Sequence, residues 1–245
     1  MTSVRGVAAG CTVLSIRMKT SALLEGLRFI DTFFPSGGYA FSSGLEAAVQ
    51  GGAVKNSDQL GQYIEDLLRG GMSHREALAA RIGSRAGSVG KISAALDIDR
   101  KLDAAKLSRE SRMASRQMGR QVIKVAADQM RAKSVLSQYR DEVESDRAPG
   151  HLAVTFGITL GACGWRPQET AAAFLYQTAV GFVSAAMRLS PIGQHEGQRM
   201  LSEWLPLIER ISREVDSNKA MSSWSPIQDI YAMRHGSLEW RLFRS

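Results

Sequence analysis

Nearly every stretch of this chain long enough to hold a pattern spaces its apolar residues by three and four, and alternating runs closed by hairpin turns are scarce. That period selects helices. Leu23, Leu24, Leu27 and Ile30 predict a first helix, and Leu45 to Gln50 a short second one. Ser57 is suited to cap a third carrying Leu60, Ile64, Leu67 and Leu68, with Gly70-Gly71 as its stop. A fourth is expected over 74–85, fraying through 83–90. Leu107, Ser111, Ala114, Met118, Val122 and Val125 trace one small-to-apolar stripe. In the second half, Gly157-x-x-x-Gly161 predicts close helix approach, and Arg166-Pro167-Gln168-Glu169 opens a helix with proline and an acid in its first turn. Ser190-Pro191 and Ser225-Pro226 read as two further starts, while Pro206 should kink or divide the helix carrying Leu201, Trp204, Leu205, Ile208, Ile211 and Val215. The expectation is an all-α, single-domain bundle of about eight to ten helices over 21–245.

The length of 245 residues, with 44% apolar and 22% charged, suits one domain with a sizeable core. Residues 1–20 read as a disordered leader: the 7–14 apolar run is too weak for a signal peptide, and Met18 is an alternative start. Cys11 and Cys163 are far apart with no C-x-x-C, so a reducing, cytoplasmic setting is expected rather than a disulfide framework. The uncharged run 170–187 would span about 27 Å as a helix, near the lower limit for a bilayer. Its Tyr176, Gln177, Thr178 and Ser184 favour burial in a helical core, and no membrane association is expected.

The net charge of +7 lies in one place. Between Arg100 and Lys133 stand ten Lys/Arg against Asp103, Glu110 and Asp128, and the rest of the chain is neutral. Arg109, Arg112, Arg116, Arg120 and Lys124 form a basic face opposite the small-residue stripe, with acids at 141–146 placed to offset it. A nucleic-acid-binding helical module is the alternative this face raises, and it predicts steep salt dependence. Aromatic residues for stacking are scarce nearby, Tyr139 being the nearest.

Catalytic and metal patterns are missing. His74, His151, His195 and His235 fall in four segments, and the adjacent His195-Glu196 pair points in diverging directions on a helix, so no metal site is expected. The glycine turns at 36–38 and 43–44 lack a following Lys-Ser/Thr, and no nucleophile elbow or paired acidic run occurs. No cofactor and no intrinsic enzyme activity are expected. Two segments stand out instead: the loop from Asp31 to Glu46, and a C-terminal tail (about 225–245) that sets Leu238, Trp240, Leu242 and Phe243 among arginines.

Four motifs in order make the chain resemble the urease accessory protein UreF family from about residue 21 onward. They are Asp31-x-x-x-Pro35-x-Gly37-Gly38-Tyr39-x-x-Ser42-x-Gly44-Leu45-Glu46; Arg109-Glu110-Ser111-Arg112 with Gln117-Met118-Gly119-Arg120; Pro191-x-Gly193-Gln194-x-x-Gly197-Gln198; and Asp229-Ile230-x-x-Met233-Arg234-His235 ending Arg241-Leu242-Phe243-Arg244-Ser245.

The resemblance implies an all-α homodimer acting in nickel insertion into urease, assembled with a UreD-type scaffold and a UreG-type GTPase on apo-urease, and regulating GTP-dependent nickel delivery. By position it makes Pro35, Gly37, Gly38, Tyr39, Ser42 and Glu46 candidates for the face that meets the GTPase. It makes Arg234, His235, Arg241, Leu242, Phe243 and Arg244 candidates for the scaffold contact. Phe41 stands where such proteins often have His, and Gly236 where the tail often has Glu, so two polar handles are absent.

Overall fold

A computed structural model describes residues 18–216, 220–222 and 224–244. Most of the leader, Cys11 and Ser245 lie outside the described residues. The helices are α1 (Thr20–Ile30), α2 (Leu45–Gln50), α3 (Ser57–Leu67), α4 (Leu78–Val89), α5 (Ser93–Ala105), α6 (Arg109–Gln129), α7 (Ser134–Glu144), α8 (Leu152–Ala162), α9 (Pro167–Leu189), α10 (Gln194–Glu214) and α11 (Pro226–Arg234). No strand occurs among the described residues, and the fold is all-α as expected.

Helix α8 is the axle. It is apolar all round and buried from Ala153 to Ala162, as such a helix must be in water. It meets α4 through glycines on both sides. A methyl on Gly157 would overlap the Ala80 carbonyl, and one on Gly161 the Ser84 carbonyl. Reciprocally, one on Gly83 would stand 2.7 Å from the Val154 oxygen, and one on Gly87 would overlap that of Ile158. The expected close approach at 157 and 161 is therefore real, and Gly83 and Gly87 are its other half rather than a fraying exit. Around α8, one core holds Phe29, Leu136, Tyr139, Phe156 and Ile158; a second, between α2, α3, α9 and α10, holds Leu45, Ile64, Leu175 and Trp204.

Several boundaries differ from expectation for identifiable reasons. Asn56, not Ser57, caps α3, its side chain accepting the Gln59 N–H at 2.9 Å. Gly70-Gly71 does not stop that helix, which widens into a π-helical stretch (Leu68–Ala77) and runs unbroken into α4. The bare glycine backbone there admits the start of α11, where Ser225 Oγ accepts the Gly71 N–H at 2.7 Å. Ser190-Pro191 ends α9 rather than starting α10: Ser190 bonds back to the Ala186 carbonyl, and Gly193 precedes the first turn of α10. Helix α10 continues through Pro206 undivided, because both Pro206 and Ser202 are exposed and water can serve the carbonyl that proline leaves unpaired. Ser225-Pro226 does open α11, with Pro226 in its first turn.

Among the described residues α9 alone is long and apolar enough to cross a membrane, and half of its apolar window is buried. It packs against α4 and α10.

Candidate functional site

The loop after α1 is built turn by turn. Asp31 Oδ1 accepts the Phe33 N–H at 2.7 Å, and the Ser36 hydroxyl accepts that of Gly38. Gly37 takes the left-handed conformation at φ 80°. Gly44, at φ 89°, lies so close to α11 that a Cβ would be 2.7 Å from the Ala232 nitrogen. That contact delivers α11 and the tail onto α2.

There Glu46, fully enclosed, gathers the tail. Its carboxylate accepts the Leu242 N–H at 2.6 Å, the Phe243 N–H at 3.2 Å and the His235 Nε2–H at 2.8 Å. The Arg244 N–H donates to the Ala40 carbonyl at 2.8 Å, and the Gln50 amide to the Trp240 carbonyl at 3.0 Å. Arg188 of α9 stacks between the rings of Tyr39 and Phe243, 4.1 Å from each centroid, and bonds the Tyr39 carbonyl at 2.8 Å.

The loop and tail assigned to two faces thus form one unit. Ser42, Glu46, His235 and Phe243 are buried in it and position their neighbours instead of presenting themselves. Pro35, Gly37, Arg234, Arg241, Leu242 and Arg244 are exposed, Gly38 is half-buried, and Tyr39 is 71% exposed.

Beneath the unit lies a cleft of about 260 Å³, reached by Tyr39, Ser42, Arg188 and Phe243 from above. Its inner wall carries a buried charge group. Lys106 Nζ meets Glu76 at 2.7 Å, and Arg75 lies 3.4 Å from Glu76 and 3.7 Å from Asp229. Burial alone would raise the Glu76 carboxyl, but Lys106 and Arg75 outweigh it and hold it below the usual range. Asp229 is pushed up by burial, which its contact with Arg75 only partly offsets.

The basic face proves less free than its spacing implies. Arg112 donates to the Lys106 carbonyl at 2.6 Å, Arg116 pairs with Asp103 at 2.6 Å, and Arg120 pairs with Asp146 at 2.5 Å. Arg109 and Lys124 are exposed. Of the expected acidic patch, Asp141 turns to Arg140, and Glu142 to Arg147. The buried side of α6 keeps Ala114 and Val122 of the expected stripe but otherwise turns to Ser115, Gly119, Ile123 and Ala126, where Gly119 meets the backbone of Gly150 and His151. Leu107 precedes the helix and faces solvent.

Below α6, Ser115, His151 and Asp103 are linked in series, at 3.1 Å and 2.9 Å. The connectivity is that of a hydrolytic triad, with His151 and Ser115 buried and bonded into the backbone around Leu152. Burial lowers the His151 imidazole to about 4, and Ser115 Oγ accepts the Leu152 N–H. Asp99 completes the brace, accepting from the Tyr139 hydroxyl, Gly150 N–H and His151 N–H. Among the described residues no three His, Cys, Asp or Glu side chains cluster as metal ligands. Burial pushes the Cys163 thiol up to about 12.

Sequence reasoning missed Arg188, Arg75, Glu76 and Lys106. Arg188 had a signal: it is the cation that ends an otherwise uncharged run.

A family model described as UreF matches residues 54–205. Urease accessory protein UreF of Bacillus sp. (strain TB-90) is 29% identical over 225 residues, covering 91% of this chain and 99% of that one. The protein of the same name from Photorhabdus laumondii is 28% identical over 228 residues, covering 92% and 99%. That of Haemophilus influenzae (strain PittEE) is 27% identical over 221, covering 89% and 94%.

Proposed function

Because the chain belongs to the UreF family of urease accessory proteins, with the role in urease maturation that this implies, we propose that it bridges a UreD-type scaffold and a UreG-type GTPase and regulates GTP-dependent nickel delivery to apo-urease. It acts in the cytoplasm as a non-enzymatic nickel-insertion chaperone. The observation that carries this reading is the joining of loop and tail at Glu46. A protein that reads one partner with its loop and the other with its tail needs the two coupled, and here one carboxylate holds both. Tyr39 and Pro35 offer the exposed side of the loop to the GTPase; Arg234, Arg241, Leu242 and Arg244 offer the tail to the scaffold.

The chain works as a homodimer. Supporting this, half of the apolar window of α9 is not buried, and Met187 is exposed on one protomer. The nucleic-acid reading loses support, since Arg112, Arg116 and Arg120 are engaged within the chain.

Copurification tests the proposal. The full chain should capture the scaffold, and the pair should then recruit the GTPase, whereas deletion of 238–245 should abolish scaffold capture. A full chain that captures neither protein refutes the reading. Capture unaffected by the deletion refutes the tail assignment.

A further inference from the structure

Of the cations that line the cleft under the loop and tail, two are closely engaged and one is not. Lys106 is closed onto Glu76 at 2.7 Å, and Arg188 is stacked between two rings and bonded to the Tyr39 carbonyl at 2.8 Å. Arg75 is only 5% exposed, yet its Nε stands 3.4 Å from Glu76, and its Nη1 stands 3.5 Å from the Ala105 carbonyl and 3.7 Å from Asp229. Among the described residues no acceptor comes closer. A charge-assisted bond to a guanidinium is about 2.8 Å long, and arginine brings five N–H donors. Contacts of this length leave a buried cation short of acceptors, a deficit that a bound anion removes.

The surroundings of that guanidinium define the anion. A Cβ on Gly71 would lie 2.8 Å from Arg75 Nη2, so the bare backbone of the π-helical stretch cradles the group. Phe29, Leu67, Met72, Phe156 and Phe182 supply apolar walls to the same cleft. Apolar walls with few polar groups make up a small-molecule site, and about 260 Å³ is near the lower end of the size such sites have. A carboxylate accepts two parallel bonds from the guanidinium fork while its apolar body covers the walls. A phosphate would bury more charge than one loosely held cation offsets. Asp229 competes for the same fork. Burial already pushes its carboxyl up toward the neutral form, and an anion beside it pushes the same way, so Asp229 takes up a proton as the ligand binds.

We infer that the cleft binds a small apolar monocarboxylate, held by a two-bond pair with Arg75 and covered by the apolar walls. The site goes beyond the bridging reading and does not depend on it, since it gives the chain a ligand of its own.

The test is calorimetric titration of the purified full chain with octanoate, and with octanol as its uncharged counterpart. Octanoate should bind at a single site and about ten-fold or more tighter than octanol. Arg75→Lys keeps the charge but loses the fork, and should weaken octanoate by about ten-fold. Asp229→Asn removes the competing charge, and should tighten octanoate by about three-fold. A purely structural Arg75–Asp229 contact would instead make both variants bind more weakly. Octanol that binds as tightly as octanoate would leave only an apolar cavity and overturn the inference. An octanoate affinity that Asp229→Asn lowers or leaves unchanged overturns it too, and both of these readouts hold even where Arg75→Lys does not fold. A wild-type chain that does not bind octanoate refutes the site, whether or not that chain captures the scaffold.

Discussion

Glu46 and His235 are 189 residues apart in sequence, and their side chains meet at 2.8 Å inside the protein. The same carboxylate takes two backbone N–H groups from the tail, so the chain closes over α2 through a single acidic residue. The other imidazole nitrogen of His235 is buried without a partner, which leaves Glu46 as the group that orients the ring.

Replacing Glu46 with Ala should strand three donors at once. Loss of charge-assisted bonds at a buried site costs about 3 kcal/mol, more than a surface pair would. Urea denaturation should register that loss, and protease should cut near 238–244 sooner than in wild type. A stable variant with a protected tail would contradict the anchoring role.

The glycine seam between α4 and α8 sets up a paired comparison. Gly161→Ala drives a methyl into the Ser84 carbonyl and should cost about 3 kcal/mol through backbone displacement. Gly181 has nothing within 4 Å of its would-be Cβ, so Gly181→Ala in α9 should gain about 0.5–1 kcal/mol from helix propensity. Thermal melts of the two variants should move in opposite directions.

His151 should make stability depend on pH in a defined window. An unfolded imidazole titrates near 6.5, whereas burial lowers this one to about 4. Between those values the unfolded chain holds the extra proton, so stability is full above about 6.5 and falls as pH drops toward 4, by about 3 kcal/mol in all. Asp103 is half-buried, which opposes ionisation, but the bonds from Arg116 and His151 hold its carboxyl below its usual value, so its contribution is lost only at lower pH. His151→Gln should flatten the slope of urea midpoints between pH 7 and 5. An unchanged slope would assign the effect elsewhere.

Tyr39→Ala should leave the fold intact, because the ring is 71% exposed, and should still impair recruitment of the GTPase. Arg188→Ala should do so too, by freeing Tyr39 and Phe243 from the cation stacked between them. Pull-down of the GTPase by scaffold-bound variants measures both effects.

Local patterns carried much of the fold. The ends of α2, the proline start of α9 and the glycine approach of α8 follow from nearest-neighbour rules, and each was legible at Leu45, Pro167 and Gly157. What failed depended on distant partners. Gly70-Gly71 reads as a stop until Ser225 is there to accept the Gly71 N–H. Arg116 reads as a solvated rung until Asp103 approaches from α5. At the site, the residue types of loop and tail were legible. Their meeting at Glu46 was not, since no periodicity encodes a contact across 196 residues.

That separation also orders events during synthesis. Glu46 is made long before Leu242 and Phe243, so any helical body that forms before they arrive encloses a carboxylate whose donors do not yet exist. Water has to serve it in the interval, and the arrival of Leu242 and Phe243 seals the site.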